Sequence, residues 1–432
     1  MSKIAPFQGL RYNSKKIREF ADVVAPPYDV INPSQQDQLY ARSDFNVVRV
    51  DLTKEESGIS RYETAGKTFE DWKRQEVLLR DDKPSIYLYF QTYTLPNGER
   101  KTRKGFFARR RLETFEEGGV KPHERTFPGP KADRLQLMHA TKANLSSIFG
   151  LFSDPKREAE PLLEKLAQGE PNIQIREANG DEHRVWKVDS PALISQLIQV
   201  VHDRPLLIAD GHHRYETALA YREEQRSLLG AAFTGEEPCN FVLMYFCSLQ
   251  DPGLVVLPTH RVLNQAPDLE ASILKGLLEK YARIKTYAMG EFSQAIQKME
   301  EEGDREHILA WAHDGQIDLL FFDAEKILAS PSLNHLHFAL RDLDVTILHD
   351  LVLEEIMGLS KGAQREYGAI EYVKDAKEAV LSAERKKTHA FLMNATKLKQ
   401  IEAVTEIGEK MPQKSTFFYP KLLTGLVFHE LG

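Results

Sequence analysis

LLIADGHHRYETAL (Leu206–Leu219) is the stretch on which the reading of this 432-residue chain turns. Leu206–Ala209 has the length and composition of a buried strand, and Asp210-Gly211 is a turn. The residues after the turn place Tyr215, Ala218 and Leu219 on one helical face. Gly211 lets the backbone bend sharply and come close to a ligand. A helix starting near His212 directs its first N–H groups and the positive end of its dipole at whatever sits above it. His212, His213 and Arg214 add donors, the arginine as a planar fork suited to phosphate. Together these form an anion site of the kind that holds nucleotide phosphates. Asp210 can hold a metal ion or take a proton from an attacking hydroxyl. It can equally be a plain helix cap. His212 with Glu216, and His213 with Glu216, also share helical faces at metal-ligand spacing, although no third ligand declares itself.

Composition narrows the class. At this length two or three domains are expected. Apolar residues make up 42% and charged residues 28%, and no window of about 18 apolar residues suggests a membrane span. The start, MSKIAPFQGLRYN, has no apolar run of the signal-peptide kind, so a cytoplasmic protein is expected. Cys239 and Cys247 lie in or beside the apolar run NFVLMYFCSL and read as small buried hydrophobes. A formal net charge of −7, with no helix-turn-helix carrying a basic recognition helix, argues against duplex DNA as a partner.

The rest of the chain supplies alternating elements. Asn32 or Ser34 can cap a helix with Pro33 in its first turn. SRYETAGKTFEDWKRQEVLLRDD reads as an amphipathic helix burying Ala65, Phe69, Trp72 and Val77. Two alternating aromatic strands flank Pro96-Asn97-Gly98, a hairpin signal. Strands and helices alternate again from Pro267 to Phe322. The last stretch reads as mostly helical before an aromatic terminus. His335 and His337 alternate as on one side of a strand and are read as structural. The prediction is a mixed α/β protein in three parts: residues 1–266, 267–330 as a small α/β lobe, and 331–432 as a helical region.

Further polar clusters are candidates for the site. The Gly/Pro-rich loop holding PHERT carries His123, Glu124 and Arg125, with Arg134 following. Glu124 can act as a base toward a substrate hydroxyl, and Arg125 and Arg134 can bind phosphate or carboxylate. APPYDV offers Tyr28 and Asp29 after a stiff turn. PTHRVL brings His260 and Arg261 behind a buried strand, where side chains face a crevice in α/β folds or lie in a surface turn. Lys414, Ser415 and Thr416 sit beside aromatics near the terminus.

DGHHR resembles the phosphate-binding signature of the ParB/sulfiredoxin-like superfamily, which includes ParB nucleotidases, sulfiredoxins and free-serine kinases. More closely, VVAPPYDVI, VKPHERTFPGPKADRL, ANLSSIFGLFSD, IADGHHRYETAL, DPGLVVLPTHR and MPQKSTFFYPKLLTGLV make the chain similar to a bacterial and archaeal domain-of-unknown-function family over nearly its full length. The resemblance implies a ParB/sulfiredoxin-like nucleotide-binding core with additional α/β domains. It implies Gly211, His212, His213, Arg214 and Thr217 as phosphate-binding residues and Asp210, with Glu124 and His212, as catalytic ones. Tyr28, Asp29, His123, Arg125, Arg134, His260 and Arg261 are then substrate-binding candidates. The implied function is an ATP- or ADP-dependent kinase of a small hydroxyl compound, free L-serine first, with Mg²⁺ held by Asp210 or by the nucleotide. The alternatives are a ParB-like nucleotide switch and a metal-dependent hydrolase at His212, His213 and Glu216. The chain departs from the serine-kinase pattern in its length, in a histidine between His212 and Arg214, and in a long insertion before DGHHR. Sulfiredoxin chemistry is disfavoured, since the motif has histidine where that chemistry places cysteine.

Overall fold

The computed structural model describes residues 3–55, 58–126, 128–264, 269–366 and 368–432. The expected boundary at residues 266–267 lies outside them. The protein has a mixed α/β fold in two compact units. One comprises Met1–Pro122, Thr126–Val255 and Pro420–Gly432, the other His123–Arg125 and Val256–Tyr419. Among the described residues no helix is long and apolar enough to cross a membrane.

The first unit is built on a nine-stranded mixed sheet. Its path runs Val120–Lys121, Leu206–Asp210, Ile148–Phe152, Phe241–Ser248, Arg100–Arg111, Ile86–Thr94, Glu182–Val188 and Ile173–Arg176. Ile4–Ala5 adds to Arg100–Arg111 off this path. The hairpin of Ile86–Thr94 and Arg100–Arg111 closes where expected, and Gly98 takes φ +85°, which the turn requires and a side chain would resist. Strand alternation sends Phe106, Ala108, Met244 and Phe246 to one face, where Leu197 and Val201 of the helix Pro191–Val201 and Tyr215 and Ala218 of the helix His212–Leu229 pack. Burying each large side chain there contributes about 1.5–3 kcal/mol. Tyr89, Phe107, Phe149 and Tyr245 form an aromatic cluster with ring centroids 5.3–5.7 Å apart.

A second core in this unit gathers the helix Arg61–Arg74 with Leu10, Tyr12 and Phe428. Ala65, Phe69 and Trp72 are buried in the helix as its spacing predicts. Val77 is buried beyond the helix end, just before the strand Leu78–Arg80. Asn32 caps the helix Pro33–Arg42 reciprocally with Gln35.

The second unit is a six-stranded antiparallel sheet in the order Ala282–Ala288, Gln316–Phe322, His307–His313, Ala390–Met393, His260–Leu263, Ile370–Val373. The helices Phe292–Glu302 and Ala376–Lys386 cover one face through Ala295, Met299, Ala379 and Ala383. This differs from the expected division at residue 330, which would cut through the sheet. Ile370–Val373 and Ala390–Met393 are too short, and the latter too fully buried, to show a strand period among their helical neighbours. His335 lies in a turn and not on a strand, and His337 caps the short helix Phe338–Arg341. Three alternating residues next to Pro331 do not define a strand.

A Cβ at Gly105 would fall 2.3 Å from the carbonyl oxygen of Phe246 on the neighbouring strand. Gly105→Ala is expected to cost about 1–3 kcal/mol, since backbone must shift to admit the methyl. Urea unfolding measures it, and an unchanged midpoint would contradict this packing.

Candidate functional site

The strand carrying Asp210 is irregular at the point that matters. Ile208 pairs with Gly150 and Asp210 with Phe149, so Ala209 is an extra residue in the ladder. Such a bulge re-aims the side chain that follows it. Gly211 then turns the chain at φ +91° and stands at the cap position of the helix His212–Leu229, offering no side-chain cap. The helix is anchored in the core by Tyr215, whose hydroxyl donates to the Glu113 carbonyl at 2.8 Å.

Arg214, one turn in, reaches back. Its Nη2 donates to Asp210 Oδ2 at 2.5 Å, and its Nη1 donates to the Ser147 carbonyl. Asp210 Oδ1 accepts from Lys421 Nζ. The terminal segment carrying Lys421 is pinned beside it, since the Pro420 carbonyl accepts from buried Arg103 at 2.6 Å and the Lys421 carbonyl from Gln91 at 2.9 Å. Asp210 therefore joins two cations, and the fork of Arg214 serves the protein itself rather than standing open to a phosphate.

A second ion pair lies alongside. Arg134 Nη1 donates to the Asp51 carbonyl at 2.9 Å and to its carboxylate at 3.2 Å, and Ser146 Oγ donates to the same carboxylate at 3.0 Å. The Arg134 guanidinium stacks 3.9 Å from the Tyr28 ring centre. Burial pushes the Tyr28 hydroxyl up to about 12 against the opposing pull of Arg214 and Arg134. Burial also raises the Asp51 carboxyl, opposed by Arg134 and Ser146. Burial works against the charge of Arg214, yet Asp210, Asp29, Tyr28 and Asp51 overrule it and hold the guanidinium above its ordinary value. Asp51, Arg134, Ser146, Arg214 and Thr217 line a small cavity of about 40 Å³. Ser147 Oγ is buried and has no hydrogen-bond partner among the described residues. Asp29 is exposed, and no hydrogen bond to its carboxylate is found among the described residues.

The structure thus brings Tyr28, Asp29, Arg134, Asp210, Gly211 and Arg214 into one neighbourhood. His212 is buried and His213 half-buried in the first helical turn, and Thr217 is buried with Oγ1 3.4 Å from the Lys131 carbonyl. Glu216 accepts from Lys131 at 2.7 Å and from Thr126 at 2.8 Å, so it faces those donors rather than sharing a metal with the histidines. Among the described residues no group of three or more His, Cys, Asp or Glu could hold a metal ion. Asp51 and Lys421 escaped the sequence reading. The one signal for Asp51 is a lone acid in the apolar run NVVRVDL, and Lys421 carries none.

His123, Glu124, Arg125, His260 and Arg261 belong to the second unit. Thr416 donates to Glu124 from its backbone at 3.0 Å and its hydroxyl at 2.9 Å, and lies 2.8 Å from His123 Nε2. Arg125 is exposed. His260 and Arg261 are not in a surface turn: they open the strand His260–Leu263, flanked on both sides, and both are buried. Arg261 donates to His349 Nε2 at 3.3 Å and to the Lys414 carbonyl at 2.8 Å. A guanidinium only donates, so His349 must be neutral there. Burial, then Arg261, lowers His349 to about 3 and His260 to about 4.

Residues 4–346 match the family model described as protein of unknown function, DUF1015. The chain belongs to this family. No curated protein matches it. Among solved structures, a free serine kinase in complex with AMP is 12% identical with a TM-score of 0.34, covering 73% of this chain and 90% of that one. SbnI with C-terminal truncation from Staphylococcus aureus is 12% identical at 0.36, covering 73% and 89%. A conserved hypothetical protein from Pyrococcus furiosus is 13% identical at 0.33, covering 71% and 92%.

Arg134→Met strands the buried Asp51 carboxylate and is expected to lower stability by about 3 kcal/mol, read by urea unfolding. A loss below 1 kcal/mol would mean that the pair is not desolvated. Buried neutral histidines also predict a pH dependence. The unfolded chain takes up protons near pH 6.5, whereas folded His260 waits until about 4, so acidification across that window favours unfolding. The urea midpoint should fall from pH 7 to pH 5, and less steeply in His260→Gln. Equal slopes would refute burial of the neutral ring.

Proposed function

We propose that the first unit is a nucleotide-dependent phosphotransferase acting on a small hydroxyl compound, with free L-serine the leading acceptor and ATP or ADP the donor. The observation that carries this reading is the Asp210-Gly211 turn. A carboxylate gripped by Arg214 and Lys421 stands there at the N-terminus of an 18-residue helix whose cap position has no side chain. Backbone donors at such a terminus, strengthened by the helix dipole, favour phosphate oxygens. The Lys421 ammonium adds a compact charge on the same turn. The buried Ser147 hydroxyl, unpaired among the described residues, is one more donor beside Arg214. These residues fit a phosphate group.

Roles follow from what each side chain is already bound to. Arg214 positions Asp210 and the helix start. Asp210 holds Lys421 against the turn and directs its charge toward the transferred group. Asp29, exposed and within the electrostatic reach of Arg214, is the carboxylate open to a substrate hydroxyl or to Mg²⁺. Tyr28, stacked on Arg134, forms an aromatic wall beside it. Mg²⁺ bound with the nucleotide would neutralise charge on the phosphoryl group.

A second reading, a nucleotide-binding switch with slow turnover, is favoured by the same clamp, because both Asp210 oxygens are already satisfied. Phosphorus NMR of the protein with Mg²⁺ and ATP or ADP, with and without L-serine, separates the two. The kinase reading expects a serine-dependent phosphomonoester signal, abolished in Asp210→Asn and reduced at least tenfold in Lys421→Ala and Asp29→Asn. Nucleotide left intact under every condition would remove it, and calorimetry showing no nucleotide binding would remove the switch as well.

A further inference from the structure

The second unit holds a cavity of about 290 Å³. Its walls are the turn of the hairpin joining His307–His313 to Gln316–Phe322, the last turns of the helix Ala376–Lys386, and Thr388 and His389 just after it. Met289, Ala312, Val380 and Ala383 give it an apolar lining.

The polar lining is unusually constrained. Wholly buried Trp311 donates its Nε1–H to His389 Nδ1 at 3.1 Å. An indole nitrogen only donates, so Nδ1 is an acceptor and a neutral His389 carries its proton on Nε2. Burial and the neighbouring His313 keep the ring below its ordinary value, so it is neutral at pH 7. Trp311 is in turn held in place: His313 stacks on it at 3.6 Å and lies 3.2 Å from Asp318 Oδ2, a buried carboxylate that also takes Lys275 and Thr286. His389 is 9% exposed, and its Nε2 edge makes no hydrogen bond among the described residues. Thr388 Oγ1 is buried and likewise has no partner. A buried hydroxyl left unmatched costs about 1–3 kcal/mol, so a built site pairs it with something. Around the rim stand exposed Lys387, Asp314 and Glu384, one cation and two carboxylates.

We propose that this cavity binds a small zwitterion, an α-amino acid with an aliphatic side chain, at a site separate from the Asp210 cluster. The ligand carboxylate accepts from His389 Nε2, the Thr388 hydroxyl and Lys387. Its ammonium faces Glu384 and Asp314, and its side chain lies on Met289, Val380 and Ala383. The volume agrees: ligand cavities run from roughly 300 to 1,000 Å³, and one at the bottom of that range suits an amino acid rather than a nucleotide.

Titration calorimetry on the full chain tests this with L-leucine, 4-methylpentanoate, which lacks the ammonium, and isopentylamine, which lacks the carboxylate. Leucine is expected to bind one to one, and each truncated analogue at least tenfold more weakly. Thr388→Val should weaken leucine at least fivefold while leaving the urea midpoint unchanged or higher, because the hydroxyl has no partner to lose. His389→Gln should weaken it similarly. Absence of leucine binding, equal binding of the three ligands, or wild-type affinity in both variants would overturn the proposal. So would binding lost in Asp210→Asn but kept in the two cavity variants, which would place the ligand at the other site.

Discussion

Asp210 and Lys421 stand 211 residues apart in sequence, and their ion pair sets the organisation of the first unit. With Arg214 on its other oxygen, the Asp210 carboxylate ties a strand end, a helix start and the terminal segment to one point. The charges are mostly shielded from water, so each depends on the others: removing one partner leaves an uncompensated ion where solvent cannot repair the loss. The bulge at Ala209 and the φ of Gly211 are local deviations from regular geometry that this arrangement requires. Asp51 with Arg134 repeats the device close by and more deeply buried, with Ser146 and the Tyr28 ring completing the set.

The second unit uses polar burial differently. Its buried arginine, Arg261, has no carboxylate in hydrogen-bond contact among the described residues and spends its donors on carbonyls, a thioether and a neutral imidazole. Two of its buried histidines, His349 and His389, are held by geometry in single tautomers. His349 accepts from Arg261 and His389 from Trp311, so in each ring the position of the proton follows from a partner that can only donate. Such rings give a binding surface of known polarity without a net charge.

Much of the first unit is legible in the sequence because its signals are local. Pro96-Asn97-Gly98 between aromatic strands, Asn32 before Pro33, and the strand, turn and helix at Leu206–Leu219 each declare themselves within a dozen residues. The second sheet is harder to read. Its strands at His260, Ile370 and Ala390 are only four residues long. Two of them are buried along their whole length, so no alternation marks them, and PTHRVL reads as well as a turn. The site shows the same limit. DGHHR marks the turn and its helix, but the cation on the other side of Asp210 comes from YPKLL, whose lysine resembles any surface lysine until folding brings it there. Asp51 is hidden likewise in a run of β-branched residues.

After the short stretch His123–Arg125, the chain's long passage through the second unit runs from Val256 to Tyr419, and it comes back to the first at Pro420. The short strand His429–Glu430 then pairs with Ala143–Asn144, and Lys421 reaches Asp210. Seen from the ribosome, the Asp210 turn emerges long before the lysine that completes it. The intervening stretch carries its own six-stranded sheet and hydrophobic core. The Asp210–Lys421 pair thus forms only once synthesis has passed residue 421, so a chain ending before that lysine would carry the turn without its second cation.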